Sequence, residues 1–213
     1  MRAEECRNLM VSEFTFKTPI GDVDARKPRT GDLVYVTGTV ITARDAGHRR
    51  ALELLSKGEK LPVDLKGLAI YHMGPVVRKV GENWKVLSAG PTTSARLETY
   101  EAEFLEKTGA KLVIGKGGMG AKTAQACKKL GTSYAIFTGG AGALAAQSIK
   151  NVKGVEWLDL GTPEAMWILE VEDFGPLTVI IDSEGKNYYD EIRARAKTNL
   201  TESYKMMGIA TTA

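Results

Sequence analysis

The sequence predicts an α/β fold, and three observations carry that prediction. Short β-branched or apolar runs at 33–42, 111–114 and 134–137 alternate with stretches at 94–107, 122–130 and 143–149 whose apolar residues recur near helical spacing. Glycine-rich loops at 115–120 and 139–142 stand where a strand hands over to a helix. The 213 residues are 43% hydrophobic and 26% charged, close to the globular average and enough for one sizeable core, which excludes disordered, collagen-like and disulfide-stapled classes.

The elements follow in order. Residues 13–19 alternate apolar and polar and predict a short first strand. The turn signal Thr30-Gly31-Asp32 precedes a strand at 33–42. Asp45 is placed to cap a helix in which Ala46, Arg50, Ala51, Leu54 and Leu55 fall near helical spacing, with Gly58 as its left-handed stop. Strands at 68–71 and 84–87 leave through Met73-Gly74-Pro75 and Ala89-Gly90-Pro91. Leu97, Tyr100, Phe104 and Leu105 share one face of a helix over 94–107 that ends at Gly109, before the strand at 111–114. Loop, helix and strand then repeat at 115–120, 122–130 and 134–137, and the loop 139–142 opens a helix at 143–149. After 155–160 the pattern changes: 167–171 and 177–181 predict locally paired strands, and 189–197 a closing helix. With no repeat or low-complexity linker, 1–12 is expected to be an N-terminal extension, 13–200 one domain and 201–213 a loosely held tail.

Charge and cysteine content bound the function. Twenty-nine Lys plus Arg against 26 Asp plus Glu give +3, with no clustered basic face for nucleic acid, so an anionic small molecule is the open partner class. Cys6 and Cys127 are too few and too isolated to build a zinc or iron–sulfur site within one chain. No signal-peptide-like stretch and no run of about 18 apolar residues occurs, so the expectation is a soluble cytoplasmic protein without a membrane partner.

Three glycine loops invite rival readings. Gly139-Gly140-Ala141-Gly142-Ala143-Leu144-Ala145, with Asp159 downstream, satisfies a dinucleotide fingerprint; it comes late in the chain, and small residues for close helix–strand packing explain it more simply. Gly115-Lys116-Gly117-Gly118-Met119-Gly120-Ala121-Lys122-Thr123 resembles a phosphate loop, with Val179-Ile180-Ile181-Asp182 as its acidic strand, but Ala121 occupies the position where glycine is needed. Gly90-Pro91-Thr92-Thr93-Ser94-Ala95-Arg96 reads as a proline turn with capping hydroxyls. A cap needs one hydroxyl and here there are three, followed by an arginine in the first helical turn, where the macrodipole disfavours a cation unless an anion joins it.

Arg44-Asp45-Ala46-Gly47-His48, the loop at 90–96, Ile114-Gly115-Lys116-Gly117-Gly118-Met119 and Glu164-Ala165-Met166-Trp167, in this order, resemble the C-terminal half or separate β subunit of class I fumarate hydratase; L-tartrate dehydratase β subunits are similar. The resemblance spans about 14–189. It implies a swivelling β/β/α domain that closes an active site against an α subunit, whose 4Fe-4S cluster sits on three cysteines with one iron open. It implies a hetero-oligomer of α2β2 type, or a homodimer when the chain is isolated, acting on a dicarboxylate. By the family pattern Arg44, Arg96 and Lys116 bind that dicarboxylate and Thr92 is the proposed base, in the hydration of fumarate to (S)-malate. The residue types suit this chemistry, since guanidinium forks grip carboxylates, lysine adds a point charge, and Gly117 lets backbone approach the ligand. Asp45 and Thr93 are further candidates.

Other readings stay open at this level. Arg44 beside Asp45 reads equally as a surface ion pair. His48 is either a site acid or a helix histidine bonded to Asp45, and His72 reads as structural. Ser94-Ala95 departs from the commonest family form, which has alanine and glycine, and this clouds fumarate against tartrate. A ligand-binding module without chemistry, or as a third choice a nucleotide-dependent oxidoreductase, would be the competing functions.

Overall fold

The computed structural model describes residues 11–207. Its strands are β1 (Glu13–Lys17), β2 (Leu33–Thr42), β3 (Ala69–Tyr71), β4 (Val76–Val80), β5 (Asn83–Ser88), β6 (Leu112–Gly115), β7 (Ser133–Ile136), β8 (Ile149–Glu156) and β9 (Met166–Ile181). The helices are α1 (Asp22–Ala25), α2 (Asp45–Ser56), α3 (Glu98–Thr108), α4 (Ala121–Leu130), α5 (Gly142–Ser148) and α6 (Tyr188–Met206), with short 3-10 turns at Ser94–Leu97 and Leu158–Leu160.

β1, β2, β3, β6 and β7 run parallel, and β9 returns antiparallel against β7, β2 and β8. Because β9 pairs with both β7 and β2, the ring β2-β3-β6-β7-β9 closes on itself. The predicted α/β class is thereby met by a mixed sheet. Period-two alternation explains how it is buried. Tyr71, Leu112, Ile114 and Ala135 point into one core with Trp167 and Phe174, while Ile70, Val113 and Tyr134 point into a second core with Leu97, Phe104, Leu105 and Cys127 from the helical side. Strands buried on both faces are read from unbroken apolar runs, as Ala69–Tyr71 and Leu112–Gly115 show.

Several boundaries differ from the prediction. Val76–Val80, absent from the sequence reading, forms an antiparallel hairpin with β5 in which only Val77 is partly buried. The helix predicted at 94–107 starts as a 3-10 turn and becomes α only at Glu98. β8 (Ile149–Glu156), followed by a 3-10 turn, is a strand the sequence reading does not give. The two strands predicted at 167–171 and 177–181 are one, β9, whose pairing with β2 shifts register between Val34 and Gly38, so Asp173 and Gly175 mark a bulge instead of a turn. The closing helix is longer than 189–197 and runs to Met206. Residues 1–10, including Cys6, and 208–213 lie outside the described residues. Among those described, no helix is long and apolar enough to cross a membrane.

Candidate active site

Parallel strands converge their following loops at one end of the sheet, where open α/β proteins bind ligands. Arg44 follows β2, His72 follows β3, Lys116 follows β6 and the glycine loop 139–142 follows β7, and these strands are neighbours in that order. The loop 90–96 is sewn across them by backbone bonds. Thr92 N–H donates to His72 O at 2.7 Å, Ser94 N–H to Lys116 O at 3.0 Å, and Thr93 bridges Lys116 in parallel fashion. The sequence-predicted Arg44, Thr92, Arg96 and Lys116 therefore share one end of the molecule.

Their side chains are arranged as follows. Arg96 Nη2 donates to Asp45 Oδ2 at 3.0 Å and to Thr92 Oγ1 at 3.1 Å, with the guanidinium half exposed. Arg44 pairs not with its neighbour Asp45 but with Glu164, Nε to Oε1 3.2 Å. Glu164 Oε2 accepts the Ala46 N–H at 2.8 Å, so this acid from across the fold serves the start of α2, and Asp45 does not cap it with its side chain. The predicted capping hydroxyl at 92–94 is also absent: no side chain caps the 3-10 turn or α3, and Ser94 instead turns inward. Lys116 has no ion-pair partner among the described residues, and its chain passes over Gly139, where a Cβ would come within 3.0 Å of Lys116 Cδ. Gly117 has φ +76° with open space where a side chain would stand, and its carbonyl accepts the Tyr134 hydroxyl at 2.8 Å.

Beneath this surface lies a buried cluster. His48, His72 and Glu101 are all 0% exposed. Glu101 Oε2 lies 2.9 Å from His72 Nε2 and 3.4 Å from His48 Nε2, close polar contacts and not aligned hydrogen bonds. Burial alone would push the Glu101 carboxyl up; the imidazoles facing it, His72 foremost, outweigh burial and hold it down at about 2. Burial pushes the His72 imidazole down, against the pull of Glu101. His48 bonds through Nδ1 to Arg44 O at 2.9 Å, not to Asp45. Sequence reasoning passes over Glu101 and assigns no role to Glu164; the only signal is that Glu164 opens the fourth matched segment.

The competing glycine-loop readings lose their ligand space. Glu98 carboxylate accepts the N–H groups of Gly120, Lys122 and Thr123 and the Thr123 hydroxyl, so a side chain fills the amide cradle that a phosphate would need. Asp182 is spent on the N–H groups of Thr30, Glu184 and Lys186. The loop 139–142 packs on loop 88–90: Ala89 N–H donates to Gly142 O at 2.9 Å, and a Cβ on Gly142 would meet Gly90 N at 2.9 Å. Asp159, at the dinucleotide distance, is held by both Arg50 guanidinium nitrogens. Cys127 is buried in the helical core, and burial pushes its thiol up, away from thiolate chemistry.

The chain is similar to known proteins over most of its length. A family model described as "Fumarase C-terminus" matches residues 4–192. The L(+)-tartrate dehydratase subunit beta of Escherichia coli (strain K12) is 48% identical over 174 residues, 82% of this chain and 85% of that protein. A "Putative L(+)-tartrate dehydratase subunit beta" from Methanocaldococcus jannaschii is 43% identical over 191 residues, covering 89% of this chain and 97% of that one. A "Putative fumarate hydratase class I" from Geobacillus stearothermophilus is 41% identical over 190 residues, 89% of this chain but 36% of the longer protein. With its cations gathered on loops that the family model spans, the chain belongs to the fumarase C-terminal family, as a β subunit of the class I fumarase and L-tartrate dehydratase group.

Proposed function

We propose that this chain is the dicarboxylate-gripping subunit of an iron–sulfur hydro-lyase that hydrates fumarate to (S)-malate. The observation that carries the reading is that Arg44, Arg96, Lys116 and Thr92 stand on adjoining loops at the carboxyl ends of β2, β3 and β6, with Arg96 bonded to the Thr92 hydroxyl. Lys116 offers a point charge, and the Arg96 guanidinium keeps further donors beyond those given to Asp45 and Thr92. Removing a proton from a carbon beside a carboxylate builds negative charge on that carboxylate, and cations fixed in advance stabilise it. Once the Thr92 hydroxyl has given up its own proton, the Arg96 hydrogen bond to Oγ1 stabilises the alkoxide, the form that can accept a proton from substrate carbon in the dehydration direction.

The described residues do not fit a cluster of their own, since Cys127 faces the core and not the cations. The 4Fe-4S cluster therefore belongs, in this reading, to an α subunit that covers the loops, the domain closing on it as a swivelling unit in a hetero-oligomer. The alternative reading is dehydration of L-tartrate in place of fumarate hydration, favoured by the names of the relatives at 48% and 43% identity. The test is anaerobic reconstitution with a cysteine-bearing α subunit. Fumarate hydration is expected from the complex and not from this chain alone; a complex that turns over only L-tartrate would transfer the reading to that substrate, and turnover by the isolated chain would overturn the division of labour.

A further inference from the structure

Glu101 takes no part in the surface just described, yet it is a fully buried acid directly beneath it. Its two oxygens and the Nε2 atoms of His48 and His72 are sealed from solvent and make no hydrogen bond outside their own contacts. A carboxylate in such a position carries a heavy desolvation cost. What the imidazoles do with their other nitrogens supplies its purpose. His48 Nδ1 donates to the Arg44 carbonyl at 2.9 Å, which also takes the His48 N–H at 2.8 Å, so that the His48 Nε2 is held by Glu101 when both ring nitrogens carry protons. His72 Nδ1 lies 2.9 Å from Ser94 Oγ, which accepts the Lys116 N–H at 3.1 Å. With His72 neutral, the serine hydroxyl donates to Nδ1 and the imidazole proton sits on Nε2, facing Glu101. The His72 carbonyl, in turn, accepts the Thr92 N–H.

One carboxylate thus reaches Arg44 through His48, and Thr92 and Lys116 through His72, while α3, which bears Glu101, continues directly from the turn that holds Arg96. We propose that Glu101 is a positioning residue that locks the three cation loops and the threonine loop into one register by clamping His48 and His72. The inference rests on the reading that those loops form the dicarboxylate site. Contact with substrate is not part of the role, because Glu101 lies under the loops and has no exposed surface.

The test compares amide hydrogen exchange by NMR in the wild-type chain, Glu101→Gln, Glu101→Asp and Leu105→Ala, the last a fully buried residue of the same helix chosen to match any loss of Tm. Exchange of the Lys116 and Thr92 amides, relative to Val113 in β6, is expected to rise about tenfold or more in Glu101→Gln, less in Glu101→Asp and not in Leu105→Ala. In the reconstituted complex the Glu101→Gln loss in kcat/KM should shrink in a Lys116→Ala background, because the two changes remove the same arrangement. Equal exchange in Glu101→Gln and wild type, or equal loosening in Leu105→Ala, overturns the proposal. So does a stoichiometric transition metal in the purified chain, since His48, His72 and Glu101 also have the ligand types of a metal site and would then be ligands first. A wild-type complex inactive on every dicarboxylate would defeat the dicarboxylate reading, and the exchange data would still decide the part played by Glu101.

Discussion

Acid should unfold this protein through its buried cluster, and the structure sets the window. Glu101 is held at about 2 against an ordinary 4.5. Its folded value is depressed, so the stability it contributes is fully present above 4.5 and is lost as pH falls towards about 2. At about 1.4 kcal/mol per pH unit, that gap corresponds to about 3 kcal/mol, an order-of-magnitude figure. His72 acts in the same direction: burial depresses it, the unfolded chain binds its proton more readily, and stability begins to fall below 6.5. The groups facing Glu101 are His48 from α2 and His72 from the loop after β3, with Asp45 acting on His72 from farther away. Urea unfolding followed by fluorescence from pH 7 to pH 2.5 would measure the effect. Glu101→Gln should be less stable than wild type at pH 7, and the two curves should converge below pH 4.5. Parallel curves throughout would show that the carboxylate is not held ionised by the imidazoles, and the electrostatic account of the cluster would fail.

The surface and its support make further predictions. Arg96→Lys should fold normally but lose about tenfold or more in kcat/KM, because an ammonium cannot serve Asp45, Thr92 and a carboxylate from one planar fork; Thr92→Ala should lose about a hundredfold in kcat if Thr92 moves the proton, whereas Thr93→Ala, whose hydroxyl caps nothing, should shift stability by less than about 0.5 kcal/mol. Wild-type kinetics in both Arg96→Lys and Thr92→Ala would return the base and the grip to the partner subunit. Gly115→Ala should cost about 1–3 kcal/mol, since its Cβ would displace the Ser94 hydroxyl and stand 3.2 Å from His72 Nδ1; thermal unfolding checks this, and an unchanged Tm would mean that the Ser94 bridge yields freely.

How much is legible in the sequence depends on how far a residue's partners lie along the chain. The strands 112–115 and 133–136 can be read because their signal is a local apolar run, and Arg96 stands out because a cation in a first helical turn asks for an anion. β4 escapes because an exposed hairpin strand has no buried face to mark it, and β9 is split in two because a bulge and a turn use the same residues. Glu101 cannot be found locally at all. In sequence it is one acid among Glu98, Glu103 and Glu106 on a helix, and only the packing of α2 and the β3 loop against α3 turns it inward.

The same distance effect governs the charge of the site. From sequence, Arg44, Arg96 and Lys116 count as three positive charges. In the fold, Glu164 comes from the far side to face Arg44, and Asp45 faces Arg96, which leaves Lys116 as the one cation of the three without a carboxylate partner among the described residues. A dicarboxylate brings two negative charges, so these side chains neutralise only part of it, while the paired arginines are held rigid for hydrogen bonding. A surface of that kind orients a dianion well and balances it incompletely. Under the dicarboxylate reading proposed above, Lys116 is therefore the cation of the three whose charge is free to meet the ligand, and Arg44 and Arg96 serve it chiefly as hydrogen-bond donors.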